Sequence, residues 1–337
     1  MEKILTISIA AYNVQSFIEK TLDSLNIGES NDLEVLVVND GSKDKTLDIA
    51  KGYEKKYPNF FKVIDKENGG YGSTINAGID MASGKYFKQL DGDDWYDTEN
   101  LKSIIEILKN TDEDIIYTPY TLFLEKDGSK KIINNDIEKH TDTILIENII
   151  QFAKPYLPMH GLMFKTKILK ENNIRILEHC FYTDVEYAVY PFLFSKTLKV
   201  INIPLYVYRI DREGQSVSIE GRKKHYKDHL RVDEKMLELL NSNIKLEDNV
   251  YNYLKDYFAS IFASCMSNYL LILKPTKENY QLIQDYDKKI YETSKEVYEK
   301  MGQKSGSVRN LRKAGLFKYK ILHCLKIFKE KLKRKMI

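Results

Sequence analysis

Tyr86-Phe87-Lys88-Gln89-Leu90-Asp91-Gly92-Asp93-Asp94-Trp95 begins as a short strand and ends with three carboxylates in four residues. Like charges crowded this way raise one another's pKa and cost free energy unless a cation sits among them. Hard divalent cations take oxygen ligands, and Mg²⁺ or Mn²⁺ is commonly held by one or two carboxylates together with substrate phosphates. Asp91 and Asp93 therefore read as a metal site at the carboxyl end of a strand, where open α/β sheets bind ligands. Gly92 lets the backbone turn closely there. The alternative for this tripeptide is a turn followed by an Asp helix cap, and Asp94 reads as a turn or capping residue.

Working outward from this stretch, the same alternation recurs on both sides. Residues 4–10 are an apolar run, and apolar side chains at 14, 17, 18, 22 and 25 have helical spacing. Leu33-Glu34-Val35-Leu36-Val37-Val38 is a β-branched run that predicts a buried parallel strand. Asn39-Asp40-Gly41-Ser42 stops it and opens a helix to about Lys56. A third strand over 60–64, a glycine-rich loop over 67–73 and a helix over 74–82 lead to the acidic turn. Such βαβ units predict an α/β fold with a mostly parallel sheet and helices on both faces. Downstream the pattern predicts a helix over 98–109, a strand over 114–119 and a hairpin over 121–134. A strand over 159–165, a helix over 183–194 and a strand over 197–208 broken at Pro204 follow. Beyond Glu220 every periodic segment is helical (222–240, 246–273, 277–301 and the C-terminal tail), so the expected domains are 1–220 and an all-α region, 221–337.

At 337 residues the chain has room for about two domains. Its 43% hydrophobic and 30% charged content describes an ordinary globular protein. Tyrosine is abundant, 24 against a single Trp, without pointing to any one function. Cys180, Cys265 and Cys324 are too far apart for a metal spacing or a disulfide framework, which favours a reducing cytosol. The first residues run into a strand pattern with no signal-peptide core. The longest uncharged run, residues 257–273, contains three serines and an asparagine and reads as a buried core helix rather than a membrane span. Charge is unevenly placed. Residues 309–337 hold eleven Lys/Arg against one acid, Glu330, so a strongly basic tail follows an acidic body.

The motifs fall at strand ends, which a doubly wound sheet brings to one edge. There a Tyr would stack on a base, an acid would accept from a base N–H, and a metal on Asp91 and Asp93 would meet a pyrophosphate. At this point the sequence resembles family 2 of the inverting glycosyltransferases, those with the GT-A fold, of the type that builds bacterial surface polysaccharides. The matching blocks are Thr6-Ile7-Ser8-Ile9-Ala10-Ala11-Tyr12-Asn13, Val37-Val38-Asn39-Asp40-Gly41-Ser42-Lys43-Asp44, Asn68-Gly69-Gly70 with Ser73-Thr74-Ile75-Asn76-Ala77-Gly78, Ser83-Gly84-Lys85-Tyr86, and Leu90-Asp91-Gly92-Asp93-Asp94. Together they cover roughly residues 4–220.

The resemblance implies a nucleotide-sugar donor, most often UDP-linked, bound by Ala11, Tyr12, Asn13, Asp40, Asn68, Gly69, Gly70, Asp91 and Gly92. Tyr12 would lie by the base, Asp40 would bond uracil, Asp91 would contact ribose or metal-bound water, and Asp93 would ligate Mn²⁺ or Mg²⁺ on the diphosphate. Many relatives carry an Arg just before the Asn at position 76, where this chain has Ile75, so Lys66 or a later basic residue would supply that charge. The family places a general base at the start of a helix some ninety residues after the metal motif, and here that position is Asp184 in Tyr182-Thr183-Asp184-Val185-Glu186-Tyr187. Glu186 is the rival base, and Thr183 with Glu186 also fits a capping box. Residues 208–218 resemble the loop that closes over donor phosphates, making Arg209, Arg212 and Ser218 phosphate contacts. His160, before Gly161, sits near the expected acceptor cleft.

In the tail, apolar residues at 317, 321, 324, 325, 328, 332 and 336 form one helical stripe, with Lys318, Lys326, Lys329 and Lys333 elsewhere on the wheel. A basic amphipathic helix fits an anionic membrane surface, and the alternative is a helix packed on the body. The expected acceptor is a hydroxyl of a glycan, lipid-linked or protein-linked molecule, and the expected location is cytoplasmic, peripheral on the inner face of the cell membrane. A nucleic-acid partner is not expected, because the acidic body offers no extended basic groove. The rival from another class is a non-catalytic membrane-surface or complex-forming protein retaining the fold.

Overall fold

The computed structural model describes residues 3–336 except 29, 135–136, 138, 141, 153–155, 212–214, 216–217 and 243. The chain divides into two compact units, Met1–Arg212 and Glu213–Ile337.

The first unit contains strands β1 Leu5–Ala11, β2 Leu33–Asp40, β3 Phe61–Lys66, β4 Tyr86–Asp91, β5 Trp95–Tyr96 and β6 Ile115–Tyr117, followed by β7 Tyr120–Leu124, β8 Lys130–Ile133, β9 Ile144–Leu145, β10 Leu162–Lys165, β11 Thr197–Val200 and β12 Tyr206–Ile210. Its helices are α1 Ile18–Ser24, α2 Thr46–Lys56, α3 Tyr71–Met81, α4 Thr98–Lys109, α5 Ile149–Phe152, α6 Thr166–Glu171 and α7 Asp184–Val189. Eight strands form a mixed sheet in the order β3-β2-β1-β4-β10-β6-β11-β9. Its first half, β3-β2-β1-β4, is all parallel. These strands are near-continuous apolar runs because both faces are buried: Leu5, Ile7, Ile9, Val35, Leu36 and Leu90 are all fully covered.

The register decides where the site lies. Ala11 stands opposite Asn39, Ala10 opposite Asp91, and Asp40 opposite Lys66. The carboxyl ends of β1, β2 and β4 thus finish side by side, bringing together motifs that lie about thirty to eighty residues apart in the chain.

A second sheet, β5-β12-β7-β8, was not expected as a unit. The predicted hairpin over 121–134 is present as β7 and β8. The predicted strand over 197–208 is two strands: β11 belongs to the large sheet and β12 to the small one, with the break at Pro204. Pairing of Tyr206 with Tyr96 and of Val207 with Trp95 ties β12 to the residues that follow the acidic turn.

The second unit is helical throughout its described residues: α8 Ile219–Lys224, α9 Tyr226–Leu240, α10 Asp248–Ile272, α11 Lys277–Thr293, α12 Lys295–Lys304, α13 Gly306–Arg312 and α14 Leu316–Met336. The uncharged run is in α10, whose Tyr257, Phe258, Phe262, Met266 and Tyr269 are buried, as expected of a core helix. Among the described residues no helix is long and apolar enough to cross a membrane. The expected helix over 277–301 is divided at Ser294, whose hydroxyl accepts from the Val297 N–H and caps α12. The tail departs from a single stripe. Its buried side chains are Tyr319 and His323, and the His323 Nδ1 lies 2.8 Å from the Leu270 carbonyl. The described members of the predicted stripe, at 317, 321, 324, 325 and 328, face solvent, and positions 332 and 336 lie outside the described side chains.

Candidate active site

Each loop at the strand ends is built by side chains satisfying backbone groups that the strands leave unpaired. The Asn13 Oδ1 accepts from the Lys43 N–H (2.8 Å), and the Asn13 N–H donates to the Ser42 hydroxyl (3.1 Å), so the turns after β1 and β2 are stitched together. Tyr12, beside Asn13, is half exposed and free of the core, while Ala11 is buried. Asn13 takes this geometry at φ 52°, a conformation asparagine tolerates better than most residues.

Asp40 is only 2% exposed. Its Oδ1 accepts from the Lys66 Nζ (2.8 Å), the Gly69 N–H (2.9 Å) and the Ser73 hydroxyl (3.2 Å). Its Oδ2 accepts from the Asn68 amide and the Gly70 N–H, both at 2.9 Å. The glycine loop therefore turns its N–H groups inward onto this carboxylate. Asp40 shapes the loop, and Lys66 is bound up with it. Ile75, at the position where many relatives have Arg, is fully buried in the core.

The loop also holds the segment that carries the expected base. A Cβ on Gly72 would lie 2.1 Å from the Leu177 carbonyl oxygen, and Gly70, at φ +83°, lies against the backbone of His179. The His179 N–H donates to the Gly69 carbonyl, and the Asn76 side chain bonds both the Ile176 N–H (2.8 Å) and its carbonyl (2.9 Å). The chain then enters α7 at Asp184. Thr183 makes no capping bond. Glu186 is buried and accepts from the Leu177 N–H and the Tyr190 hydroxyl, both at 2.8 Å. The capping box is thus replaced by an anchor for the segment around residue 177.

At the acidic turn the Gly92 N–H donates to the Ala10 carbonyl at 3.0 Å, closing the turn against β1. The Tyr71 hydroxyl donates to Asp91 Oδ1 at 2.7 Å. Asp94 is buried and does not cap α4; Asp97 does, accepting from the Asn100 N–H. The Asp94 Oδ2 accepts from the Tyr206 hydroxyl (2.7 Å) and its Oδ1 from the Arg209 N–H (2.7 Å), so Asp94 fastens the turn to β12. Arg209 is correspondingly committed. Its Nε donates to the Asp93 carbonyl at 2.9 Å, its guanidinium pairs with Glu125, and it lies 4.9 Å over both the Phe17 and Trp95 rings. It braces the turn from behind rather than standing free for a diphosphate. Arg212 lies outside the described residues. Ser218 belongs to the second unit, where its hydroxyl accepts from the Gly221 N–H and caps α8.

The electrostatics follow from this crowding. Burial, the Asp93 charge and the Asp184 charge push the Asp91 carboxyl up to about 7. Burial, then the Asp93 and Asp91 charges, raise Asp94. Burial likewise raises Asp184 above the usual carboxylate range. Tyr71 is held in its protonated form by burial and by the charges of Asp91 and Asp184, which makes it a dependable donor. Burial raises the Tyr208 hydroxyl, and all four carboxyls act on it and raise it further, although they come from β4, the turn after it and the start of α7.

Among the described residues, one group of three metal-ligand types has its atoms within 4.8 Å of one another: Asp91, Asp94 and His160. His160 packs against Tyr120 (5.2 Å), Tyr206 (4.9 Å) and Tyr208 (4.3 Å), and its Nδ1 is buried without a hydrogen bond. Burial, and then the nearby Lys88 charge, push it down to about 3, so the ring is neutral. Lys88 is fully buried and donates to the His160 and Leu162 carbonyls at 2.9 and 3.2 Å, fixing the backbone that presents the imidazole. Asp94 and the tyrosine ring of Tyr71, Tyr206 and Tyr208 are site residues that the sequence reading did not select. The abundance of tyrosine was the available signal. The carboxylate oxygens of this group suit Mn²⁺ or Mg²⁺, and the imidazole favours the transition metal, Mn²⁺, of the two.

Residues 6–172 match the family model for glycosyl transferase family 2. The chain is a glycosyltransferase, and these residues are its family 2 domain. The Bacillus subtilis (strain 168) protein named glycosyltransferase EpsH is 28% identical over 276 residues, covering 77% of this glycosyltransferase and 75% of EpsH. The poly(ribitol-phosphate) beta-glucosyltransferase of Bacillus spizizenii is 31% identical over 222 residues, covering 64% of this chain and 33% of the longer protein. Among solved structures, S. aureus TarS 1–349 in complex with UDP-GlcNAc superimposes with a TM-score of 0.69 at 21% identity, over 95% of this chain and 90% of TarS. The GT-A fold followed by a helical C-terminal region is thereby common to TarS and this glycosyltransferase.

Proposed function

We propose that this glycosyltransferase is a metal-dependent, inverting enzyme that moves a sugar from a nucleotide diphosphate donor, a UDP-sugar, to a hydroxyl of a glycan, lipid-linked or protein-linked acceptor. The observation that carries the reading is that the Asp184 charge reaches Asp91, and that Tyr208 feels Asp91, Asp94, Asp184 and Asp93 together at the strand ends. A solved neighbour was obtained with UDP-GlcNAc, which supports the donor class.

In this reading Tyr12 stacks on the base above the Asn13–Ser42 stitch, and Asp40, by gathering Asn68, Gly69 and Gly70, sets the floor beneath the donor. Asp93 and Asp91 would hold Mn²⁺ or Mg²⁺, with Asp94 and the neutral His160 beside them. When bound, such an ion stabilises the charge that grows on the departing diphosphate. Tyr71 and Tyr206 orient Asp91 and Asp94 through their hydroxyls. Asp184 takes the proton from the acceptor hydroxyl as its oxygen bonds to the anomeric carbon and the carbon–diphosphate bond breaks on the opposite face. Burial raises the basicity of this carboxylate, bringing it closer to the working pH of a general base. A lipid-carried acceptor would place the work at the inner face of the cell membrane, with residues 309–337 as the contact.

The test is turnover of a panel of UDP-sugars with Mn²⁺ in the wild type, Asp93→Ala and Asp184→Ala. General-base loss is expected to cost about 10²- to 10⁴-fold in kcat. Equal turnover in all three proteins would remove the assignment.

A further inference from the structure

We propose that the outward face of α14 is a docking surface for an anionic lipid bilayer. Adhesion itself needs no turnover, and it rests on the glycosyltransferase reading only for the kind of acceptor found there.

The helix has two apolar faces with different fates. Tyr319 and His323 point into the second unit and pin the helix to it, the imidazole lying against the Leu270 carbonyl near the C-terminal end of α10. On the other face Phe317, Ile321, Leu325 and Phe328 are 77%, 45%, 51% and 60% exposed, and Cys324 between them is exposed as well. At about 100° per residue these five form one continuous ridge along three turns. Scattered exposed apolar residues need no explanation, but a contiguous row that includes two Phe and two branched aliphatics marks an interaction site.

The charges flanking the ridge identify its partner. The exposed Lys318 and Lys329 fall along one edge on the helical wheel and the exposed Lys320 along the other. The segment from Arg309 onward carries eleven basic residues against one acid. A protein groove would need a matching acidic rim on some other molecule. A bilayer offers a hydrocarbon boundary for the ridge and anionic headgroups for the lysines on both its edges at once, with each Lys or Arg near the surface adding about 1 kcal/mol. Because Tyr319 and His323 already hold the helix folded, docking does not have to supply the ordering free energy that an unstructured tail would require.

The experiment is co-sedimentation of the full chain with phosphatidylcholine vesicles, with and without phosphatidylglycerol. Binding is expected only with phosphatidylglycerol and is expected to weaken in high salt. Phe317→Ser with Phe328→Ser, and separately Lys318→Gln with Lys320→Gln and Lys329→Gln, should each lower vesicle affinity about tenfold or more. Melting curves should stay at wild type, since these side chains are exposed. UDP-sugar hydrolysis measured without vesicles should be unchanged in both variants, which separates loss of docking from failure of the catalytic reading. No wild-type binding, binding indifferent to phosphatidylglycerol, or binding retained in both variants would overturn the proposal. So would self-association in light scattering that the variants abolish while vesicles are left unbound, since the ridge would then take a second copy.

Discussion

Replacing Asp40 by Ala tests whether the glycine loop is held by one buried carboxylate. Five groups donate to this carboxylate: the Lys66 ammonium, the Asn68 amide, the Gly69 and Gly70 N–H groups and the Ser73 hydroxyl. Without it Lys66 keeps the Glu67 carbonyl, Asn68 the Asp40 backbone carbonyl and Ser73 the Gly70 carbonyl, so the hydrogen-bond loss falls on the two glycine N–H groups. The Gly69 N–H is buried and would be left without its acceptor, costing about 1–3 kcal/mol. The Gly70 N–H is partly buried and adds about 1 kcal/mol. Lys66 is about a quarter exposed and can turn to water, so its ion pair adds little more than about 1 kcal/mol after screening. The sum is a loss of about 3–5 kcal/mol in the first unit, of the size expected when one partner of a buried charged network is removed. Trp95 is the only tryptophan and lies in this unit, so urea denaturation followed by its fluorescence reads the first unit without interference from the helical one. Asp40→Asn, which keeps one acceptor oxygen, should fall between wild type and Asp40→Ala. A midpoint for Asp40→Ala within about 0.5 kcal/mol of wild type would refute the idea that this carboxylate organises the loop.

In metal-free buffer the stability of the first unit should fall as pH rises. A carboxyl whose folded pKa lies above its unfolded value of about 4 binds its proton more tightly when folded. The contribution of Asp91 is therefore fully present below that value and lost as pH rises through about 7. Asp91→Asn should flatten that dependence in a urea titration. Mn²⁺ at about a hundred times its dissociation constant should restore roughly 2.7 kcal/mol at neutral pH, and Asp91→Asn with Asp93→Asn should abolish the effect in a thermal-shift assay. The acid limb of the kcat profile should lie above the ordinary carboxylate range because burial raises Asp184, and stopped assays across pH would show it. Gly72→Ala should cost about 1–3 kcal/mol and lower kcat, since its Cβ would meet the Leu177 oxygen at 2.1 Å and displace the segment leading to Asp184.

Much of this architecture could be read directly from the chain. The β-branched run of residues 33–38, the strand delivering Asp91, the helical spacing beyond Glu220 and the tail stripe are periodic patterns, and period follows from local backbone geometry. The residues at the ends of those strands were found for the same reason: once the strands are parallel and adjacent, their carboxyl ends must align.

The choice of hydrogen-bond partner has no period and was decided only by tertiary packing. Asp94 looked like a turn residue because its partner, the Tyr206 hydroxyl, is 112 positions away. Arg209 looked like a phosphate ligand because its sequence neighbourhood matched a loop, whereas β12 pairing with β5 carries its guanidinium behind the turn to Glu125 and the Asp93 carbonyl. Glu186 resembled a base by spacing and serves as an anchor because α7 turns its side chain into the protein. In the tail the sequence determined that a stripe exists, and packing decided that Tyr319 and His323, rather than the stripe, meet the rest of the unit. Local order was set by what each residue does to its own backbone, whereas the site was set by which distant groups could satisfy one another without water.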